Sequence, residues 1–181
     1  MAQSEAELIL RTLDGFLTGP ARIRLLGGAA FVLGYGMARS TEDADLLEDD
    51  RELQALIDEA GFSEAVEATN RALEARGLYL THIWGPEQQI LTPEWRAHCR
   101  VVQGLGLVRL EVSVLGPLDL IASKLCRADE LDLEDIRYLI AREQLSSEQI
   151  RAAMRTAVVP AVFTEVFPAN LARLEAILGS R

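Results

Sequence analysis

Two glycines are the first residues of this sequence whose type and position suit phosphate chemistry. Gly27 and Gly28 follow the apolar run IRLL and precede an apolar segment rich in alanine that runs toward Gly36. A glycine pair lets the backbone turn tightly, and it lets a phosphate approach the N–H groups at the start of a helix. The same pair also fits an ordinary turn that binds nothing, and this alternative stays open.

Asp43 and Asp45 lie two positions apart in the segment DADLL. In a strand, this spacing puts both carboxylates on one face and the apolar residues on the other. Carboxylates held this close repel each other, and a divalent cation that prefers oxygen ligands, such as Mg2+, stabilises them. The alternative is a solvated acidic loop, because residues 42–50 contain six acidic side chains.

Glu111 is a third candidate carboxylate, in the run LVRLEVSVL. A charged residue inside an apolar strand costs stability unless it reaches solvent, an ion pair or a metal. Together with Asp43 and Asp45 it would form a set of three acids, as used in two-metal phosphoryl or nucleotidyl transfer. The alternative for Glu111 is the solvent face of an edge strand.

Lys124 is the single lysine of a chain with 17 arginines. It falls in a segment with helical character at 117–127, where the alternative to a functional role is a solvated surface position. Asp132 and Asp135 follow with a spacing that also fits the N-cap of a helix. Asp135 is placed to pair with Lys124 or with Arg127.

The elements that must position these residues follow from apolar periodicity and from glycine and proline breaks. We predict strands at 23–26, 44–47, 78–84, 99–103 and 107–115 and, besides the helix after Gly28, helices at 5–17, 51–60, 63–76, 117–127, 132–143, 146–158 and 161–178. The expected fold class is α/β (α+β), a small mixed sheet with covering helices. Residues 1–116 would form the α/β core and residues 117–181 a helical C-terminal region packed on it as one compact unit.

Two motifs in order resemble a known superfamily. The first is a strand, Gly-Gly, a helix and Arg39-x-Thr41-x-Asp43-x-Asp45, and the second is DLIASKLCRADELDLEDI at 119–136. Together they cover about residues 22–140 and resemble the polymerase-beta-like nucleotidyltransferases. The closer resemblance is to the bacterial group with the type IV toxin-antitoxin (abortive infection) nucleotidyltransferases and their uncharacterised relatives.

The resemblance implies a role for each matching position. Asp43, Asp45 and Glu111 would bind the metal ions and, with Lys124, form the catalytic set. The residues that would bind the nucleotide are Gly27, Gly28, Arg39, Thr41, Lys124 and Asp135, with Asp132 in support. Two positions depart from the family pattern: active members often have Ser where this chain has Gly28, and Asp is commoner at the position of Glu111.

The expected activity is transfer of a nucleoside monophosphate from an NTP to an acceptor hydroxyl, with Mg2+ as cofactor. The acceptor is a protein, an RNA or a small molecule. The alternative is a catalytically degenerate protein of the same fold that binds or regulates a partner, such as a cognate antitoxin or a regulator in a toxin-antitoxin pair.

Charge and composition narrow these expectations. The formal net charge of -10 repels nucleic acid, so we expect no strong direct binding to RNA or DNA. No apolar run is long enough to span a membrane, so we expect a cytoplasmic protein. The two cysteines and two histidines lack the spacing of a zinc site.

Overall fold

The structure, a computed structural model, describes residues 3–179. The chain divides into two compact units. The first unit consists of the chain up to Gly85 and of Cys99–Val114. The second unit consists of Pro86–His98 and of the chain from Leu115 onward. The polypeptide therefore leaves the first unit, returns to it and leaves it again.

Within the described residues, the first unit contains a five-stranded mixed sheet. Its strands are β1 Ala21–Leu26, β2 Asp43–Leu47, β3 Tyr79–Trp84, β4 Arg100–Val101 and β5 Leu110–Val114. Their order is β3-β2-β1-β5-β4. Strand β1 pairs antiparallel with β2 and parallel with β5, while β3 is parallel to β2 and β4 antiparallel to β5. The mixed sheet with its helices confirms the predicted fold class.

Four α-helices accompany this sheet. They are α1 Glu5–Phe16, α2 Gly27–Tyr35, α3 Asp50–Ala60 and α4 Phe62–Leu73. Helix α3 begins with a capping box, in which Asp49 accepts from the N–H of Glu52 at 2.8 Å and the Glu52 carboxylate accepts from the N–H of Asp49. Part of the acidic run that follows β2 is therefore explained by the start of a helix.

Asp14 ties α1 to the beginning of β5. Its Oδ1 accepts from the N–H groups of Arg109 at 2.7 Å and Leu110 at 2.8 Å, and its Oδ2 accepts from Val108 at 3.0 Å. Burial raises the pKa of Asp14, but these three N–H donors outweigh burial and lower it below its usual value. The charged carboxylate thus satisfies backbone donors that enter the sheet.

The second unit is helical. Its helices are α5 Trp95–His98, α6 Pro117–Lys124, α7 Glu130–Arg142, α8 Ser147–Thr156 and α9 Phe167–Gly179. The carboxylate of Asp129 accepts from the N–H of Asp132 at 2.9 Å and caps α7. The suggestion that Asp132 is the N-cap is therefore wrong, because α7 begins two residues earlier, at Glu130. Among residues 3–179, no helix combines the length and the apolar character needed to cross a membrane.

Asp119 joins the segment Pro86–His98 to α6 within the second unit. The Asp119 side chain is fully buried. Its Oδ1 accepts from the N–H and hydroxyl of Thr92 at 2.8 and 2.7 Å, and its Oδ2 lies 3.0 Å from Nδ1 of His98. The border between the units lies at Val114 and Leu115, and the segment Pro86–His98 belongs with the helices. The packing of 117–181 on the core stays a prediction.

Candidate active site

Helix α2 begins directly at the end of β1, without a connecting loop. Gly27 is its first residue and has a φ of +63°, a conformation that suits glycine. Leu26 precedes it, and no side chain caps the helix start. A Cβ on Gly27 would lie 3.1 Å from Oδ2 of Asp45. The glycine therefore lets the uncapped start of α2 approach the Asp45 carboxylate closely.

Gly28 brings two further predicted residues to the same helix start. A Cβ at this position would lie 2.7 Å from Oγ1 of Thr41 and 2.9 Å from Nη2 of Arg39. Thr41 is only 8% exposed, and its hydroxyl donates toward the backbone oxygen of Asp43 at 3.1 Å, with Oδ1 of Asp43 at 3.3 Å. The structure thus brings Gly28, Arg39 and Thr41 together beside β2.

Asp43 and Asp45 occupy alternate positions of β2 and are half-buried, while Ala44 between them is fully buried. Burial raises the pKa of Asp45, and the negative charge of Asp43 raises it further. Contacts with Thr81 and His82 of β3 offset part of this rise. The charge of Asp43 thus disfavours the ionised form of Asp45, in the direction that the spacing predicts.

The pair fits Mg2+ by its donor set. Magnesium is commonly held by one or two carboxylates, with substrate phosphates and water as its other ligands. Asp43 and Asp45 supply two carboxylates on one strand, and a cation between them would offset the charge of Asp43, which adds to burial in raising the pKa of Asp45. In the described part of the chain, no group of three or more acidic, His or Cys side chains is placed to hold a metal.

Glu111 lies away from this pair. Across the sheet it is opposite Arg22 of β1, whereas Asp45 is opposite Leu26. These positions are four residues apart along β1, or about 13 Å at the usual rise of a strand. The Glu111 side chain is 53% exposed and lies 3.1 Å from Nε of Arg22. The structure therefore does not bring Glu111 to the Asp pair, and its predicted role as third metal ligand does not agree with this register.

The alternative, that Glu111 lies on the solvent face of an edge strand, agrees better with the structure but needs one correction. Strand β5 is not an edge strand, because β4 pairs along its other side. Glu111 instead lines a cleft of about 560 Å3, together with arginines of β1 and carboxylates near α3. Two metal ions about 3.5–4 Å apart could not bridge the distance from Glu111 to Asp45.

A buried ion pair on the wall of this cleft was not predicted from the sequence. Glu48 is 3% exposed and accepts from the N–H of Arg24 and from Nη1 of the same residue, each at 2.7 Å. Arg24 also donates from Nη2 to Glu52 at 2.7 Å. Burial raises the pKa of Glu48 to about 7 even with Arg24 beside it. The alternation of β1 indicates Arg24 as an outward residue, but only the folded chain brings Glu48 to it.

Lys124 is part of a buried charge cluster in the second unit, not a solvated position. Its side chain is 11% exposed, and Nζ lies 2.8 Å from Oδ1 of Asp132 and 2.7 Å from Oδ2 of Asp135. Arg127 also contacts Asp132, at 2.9 Å. Burial raises the pKa of Asp132, but Arg127 and Lys124 outweigh it and lower the pKa. The predicted pairing of Asp135 with Lys124 is confirmed, whereas the contacts of Lys124 and Asp135 with a nucleotide stay predictions.

A stacked aromatic pair beside Asp45 was also not predicted as functional. His82 and Trp84 lie two positions apart in β3, and their ring centroids are 5.1 Å apart with planes at 22°. Nδ1 of His82 lies 3.3 Å from Oδ1 of Asp45. Thr81 donates to the same oxygen at 3.1 Å. The period of two in β3 is the signal that places both rings on one side of the strand.

Comparison with known protein families gives a match over most of the chain. Searches of curated proteins and of solved structures gave no significant similarity. The model of the DUF6036 family, described as a nucleotidyltransferase of unknown function, matches residues 6–166. This range includes the start of α2, both aspartates of β2 and the Lys124 cluster. The chain therefore belongs to the DUF6036 nucleotidyltransferase family.

Proposed function

We propose that this protein transfers a nucleoside monophosphate from an NTP to an acceptor hydroxyl, with Mg2+ held by Asp43 and Asp45. The observation that carries the proposal is the position of the Asp45 carboxylate, 3.1 Å from where a Cβ on Gly27 would lie. A metal-binding acid and the uncapped start of a helix thus meet at one point. Phosphate chains bind at such helix starts, and Mg2+ neutralises their charge.

The residues of this chain would then share the work of binding and orientation. The N–H groups in the first turn of α2 would bind the phosphates, because neither Gly27 nor Gly28 carries a side chain there. Arg39 would add positive charge at the same place. Thr41 would hold Asp43 through its hydroxyl. When bound, Mg2+ supplies positive charge against the phosphate oxygens as the acceptor oxygen attacks and pyrophosphate leaves.

Two further elements of the proposal come from the resemblance. Lys124, supported by Asp132 and Asp135, would contact the nucleotide phosphates. A second metal ion would need another ligand besides Asp43 and Asp45, and Glu111 is not close enough to supply it. We therefore base the proposal on the Mg2+ ion held by the two aspartates and assign Glu111 no role in it.

A second candidate is a degenerate protein of the same fold that binds or regulates a partner, as in a toxin-antitoxin pair. The distance of Glu111 from Asp45 favours it, because a site with two acids has lost one ligand of the family set. Gly28 favours it as well, because this residue offers no hydroxyl to a phosphate. Such a protein would bind NTP and Mg2+ weakly or not at all.

Incubation with each NTP labelled at the α-phosphate, in Mg2+, tests the first proposal. Candidate acceptors are the protein itself, other proteins, RNA and small hydroxyl compounds. We expect D43N and D45N to lose labelling, because each removes a metal ligand with little change of shape. The matched control is E111Q, which removes a carboxylate outside the site and should label like the unmodified protein.

The outcomes separate the two candidates. Labelling by D43N and D45N at the unmodified rate would contradict the metal assignment. Loss of labelling in E111Q alone would restore Glu111 as a ligand and contradict the register argument. If the unmodified protein labels no acceptor and calorimetry detects neither NTP nor Mg2+ binding, the degenerate protein is the correct description.

A further inference from the structure

We infer that the stacked pair His82–Trp84 is the platform on which the base of the bound NTP stacks, an inference that rests on the proposed function. The ligand class is a nucleobase carried on a triphosphate. The donor NTP is the source we choose over an RNA acceptor, because the net charge of -10 opposes a polyanion.

The pair lies next to the proposed phosphate site within the same unit. Oδ2 of Asp45 lies 3.1 Å from where a Cβ on Gly27 would lie, and Oδ1 of Asp45 lies 3.3 Å from Nδ1 of His82. The neighbouring Oγ1 of Thr81 lies 3.2 Å from the same ring nitrogen. The imidazole of His82 therefore lies directly beside the carboxylate that we propose as a Mg2+ ligand.

One face of this imidazole is covered and the other is open. Trp84 covers the first face with nearly parallel rings, 5.1 Å between centroids. Yet 62% of the His82 side chain is exposed, so the opposite face is available to a planar group. The Asp45 contact at Nδ1 and the indole behind the ring together hold the imidazole in one orientation.

A nucleobase suits such a surface by its own chemistry. Bases stack on aromatic side chains whatever their hydrogen-bonding edge, because every base has a π face. Stacking on a ring face does not read the edge of the base. We therefore expect all four NTPs to bind, with purines ahead of pyrimidines because their larger rings cover more of the imidazole.

The chain is well suited to a direct test, because it contains only two histidines, His82 and His98. Proton NMR of the imidazole signals, assigned by their loss in H82F, reports ring currents at His82. We expect ATP with Mg2+ to shift the His82 ring protons upfield. Inorganic tripolyphosphate with Mg2+ is the matched ligand without a base, and it should cause no such upfield shift.

Calorimetry of the variants gives a second readout that does not depend on activity. In H82L, we expect ATP·Mg2+ to bind roughly fivefold or more weakly, since stacking contributes on this scale, and tripolyphosphate·Mg2+ to bind as before. H82F keeps a ring and should retain ATP binding. F16L removes an exposed aromatic of α1 and should change neither affinity.

The outcomes distinguish this inference from the proposed function. If tripolyphosphate and ATP bind equally well to H82L and to the unmodified protein, and ATP causes no upfield shift, the platform is overturned while the metal and phosphate site stands. If neither ligand binds the unmodified protein in Mg2+, the proposed function and the platform are both overturned.

Discussion

A side chain on Gly28 and the hydroxyl of Thr41 would compete for the same space, because a Cβ at position 28 would lie 2.7 Å from Oγ1 of Thr41. Thr41 is 8% exposed and cannot simply turn into solvent. Gly28 is therefore coupled to the threonine that contacts Asp43.

This coupling predicts the behaviour of G28A. We expect the variant to lose about 1–3 kcal/mol of unfolding free energy through overpacking. Adding T41A, which removes Oγ1, should restore part of the loss, whereas T41S keeps the oxygen and should not. Urea unfolding of the single and double variants measures the coupling. Additive losses in G28A/T41A would contradict the shared space.

Without a bound cation, the ionised Asp45 carboxylate should lower the free energy of unfolding. Burial and the charge of Asp43 raise its pKa, so the folded chain binds its proton more tightly than the unfolded chain. Stability therefore falls as pH rises from the unfolded pKa, near 3.8, through the raised folded value.

The substitution D45N removes the unfavourable charge of Asp45 and should therefore stabilise the folded chain. At pH 7 without Mg2+, we expect D45N to melt at a higher temperature than the unmodified protein, and to gain nothing when Mg2+ is added. The unmodified protein should gain in Tm with Mg2+ because the cation binds the folded state. E42Q, an exposed neighbour, is the control. A lower Tm for D45N without Mg2+ would contradict the repulsion.

Glu48 should make stability depend on pH in a higher range. Burial raises its folded pKa to about 7 from 4.5, so the folded state holds more protons between these values. The contribution of Glu48 to the unfolding free energy is therefore greatest below pH 4.5 and falls until about pH 7. The difference in unfolding free energy between the unmodified protein and E48Q should fall across this range. A constant difference would show that Arg24 keeps Glu48 ionised throughout.

Lys124 should stabilise the second unit far more than Arg127. K124M leaves two buried carboxylates without their ammonium, and breaking a buried pair costs about 3–5 kcal/mol. R127M removes a side chain that is 65% exposed and should cost about 1 kcal/mol or less. Thermal and urea unfolding of the two variants makes the comparison. The double variant K124M/D135N should recover part of the loss, and no recovery would argue against the ion pair.

K124R tests the predicted nucleotide contact of the same lysine. The guanidinium keeps the charge but is planar, whereas the ammonium is compact and its three donors rotate. We expect K124R to bind NTP·Mg2+ more weakly than the unmodified protein when measured by calorimetry on folded samples. Equal affinity would leave Lys124 with the structural role alone.

The local sequence pattern was enough to predict most of the helices and strands and the position of several candidate site residues within them. The glycine turn into α2, the two aspartates on one face of β2 and the alternation of β5 follow from residue type and period. These features depend on neighbours in the chain, so sequence carries them. The helix that contains Lys124, and the pairing of Lys124 with Asp135, could be predicted for the same reason.

The position of a residue relative to residues on other strands could not be predicted from the local sequence pattern. The resemblance implies that Glu111 is the third acid beside Asp45, but the parallel register of β5 on β1 decides how far along the strand Glu111 lies. Register depends on packing between distant segments, which the alternation of one strand does not report. The contact of His82 with Asp45 could not be predicted for a related reason, because only the pairing of β3 with β2 brings the two side chains together.

The path of the chain between its two units has a consequence for biosynthesis. During synthesis from the N-terminus, the sheet can be completed once β5 has left the ribosome, but Thr92 and His98 must wait for Asp119 to emerge. A nascent or truncated chain that stops at residue 116 would carry the segment Pro86–His98 with no acceptor for its amide at Thr92. Expression of the α/β core alone should therefore join β3 to β4 by a short linker in place of that segment.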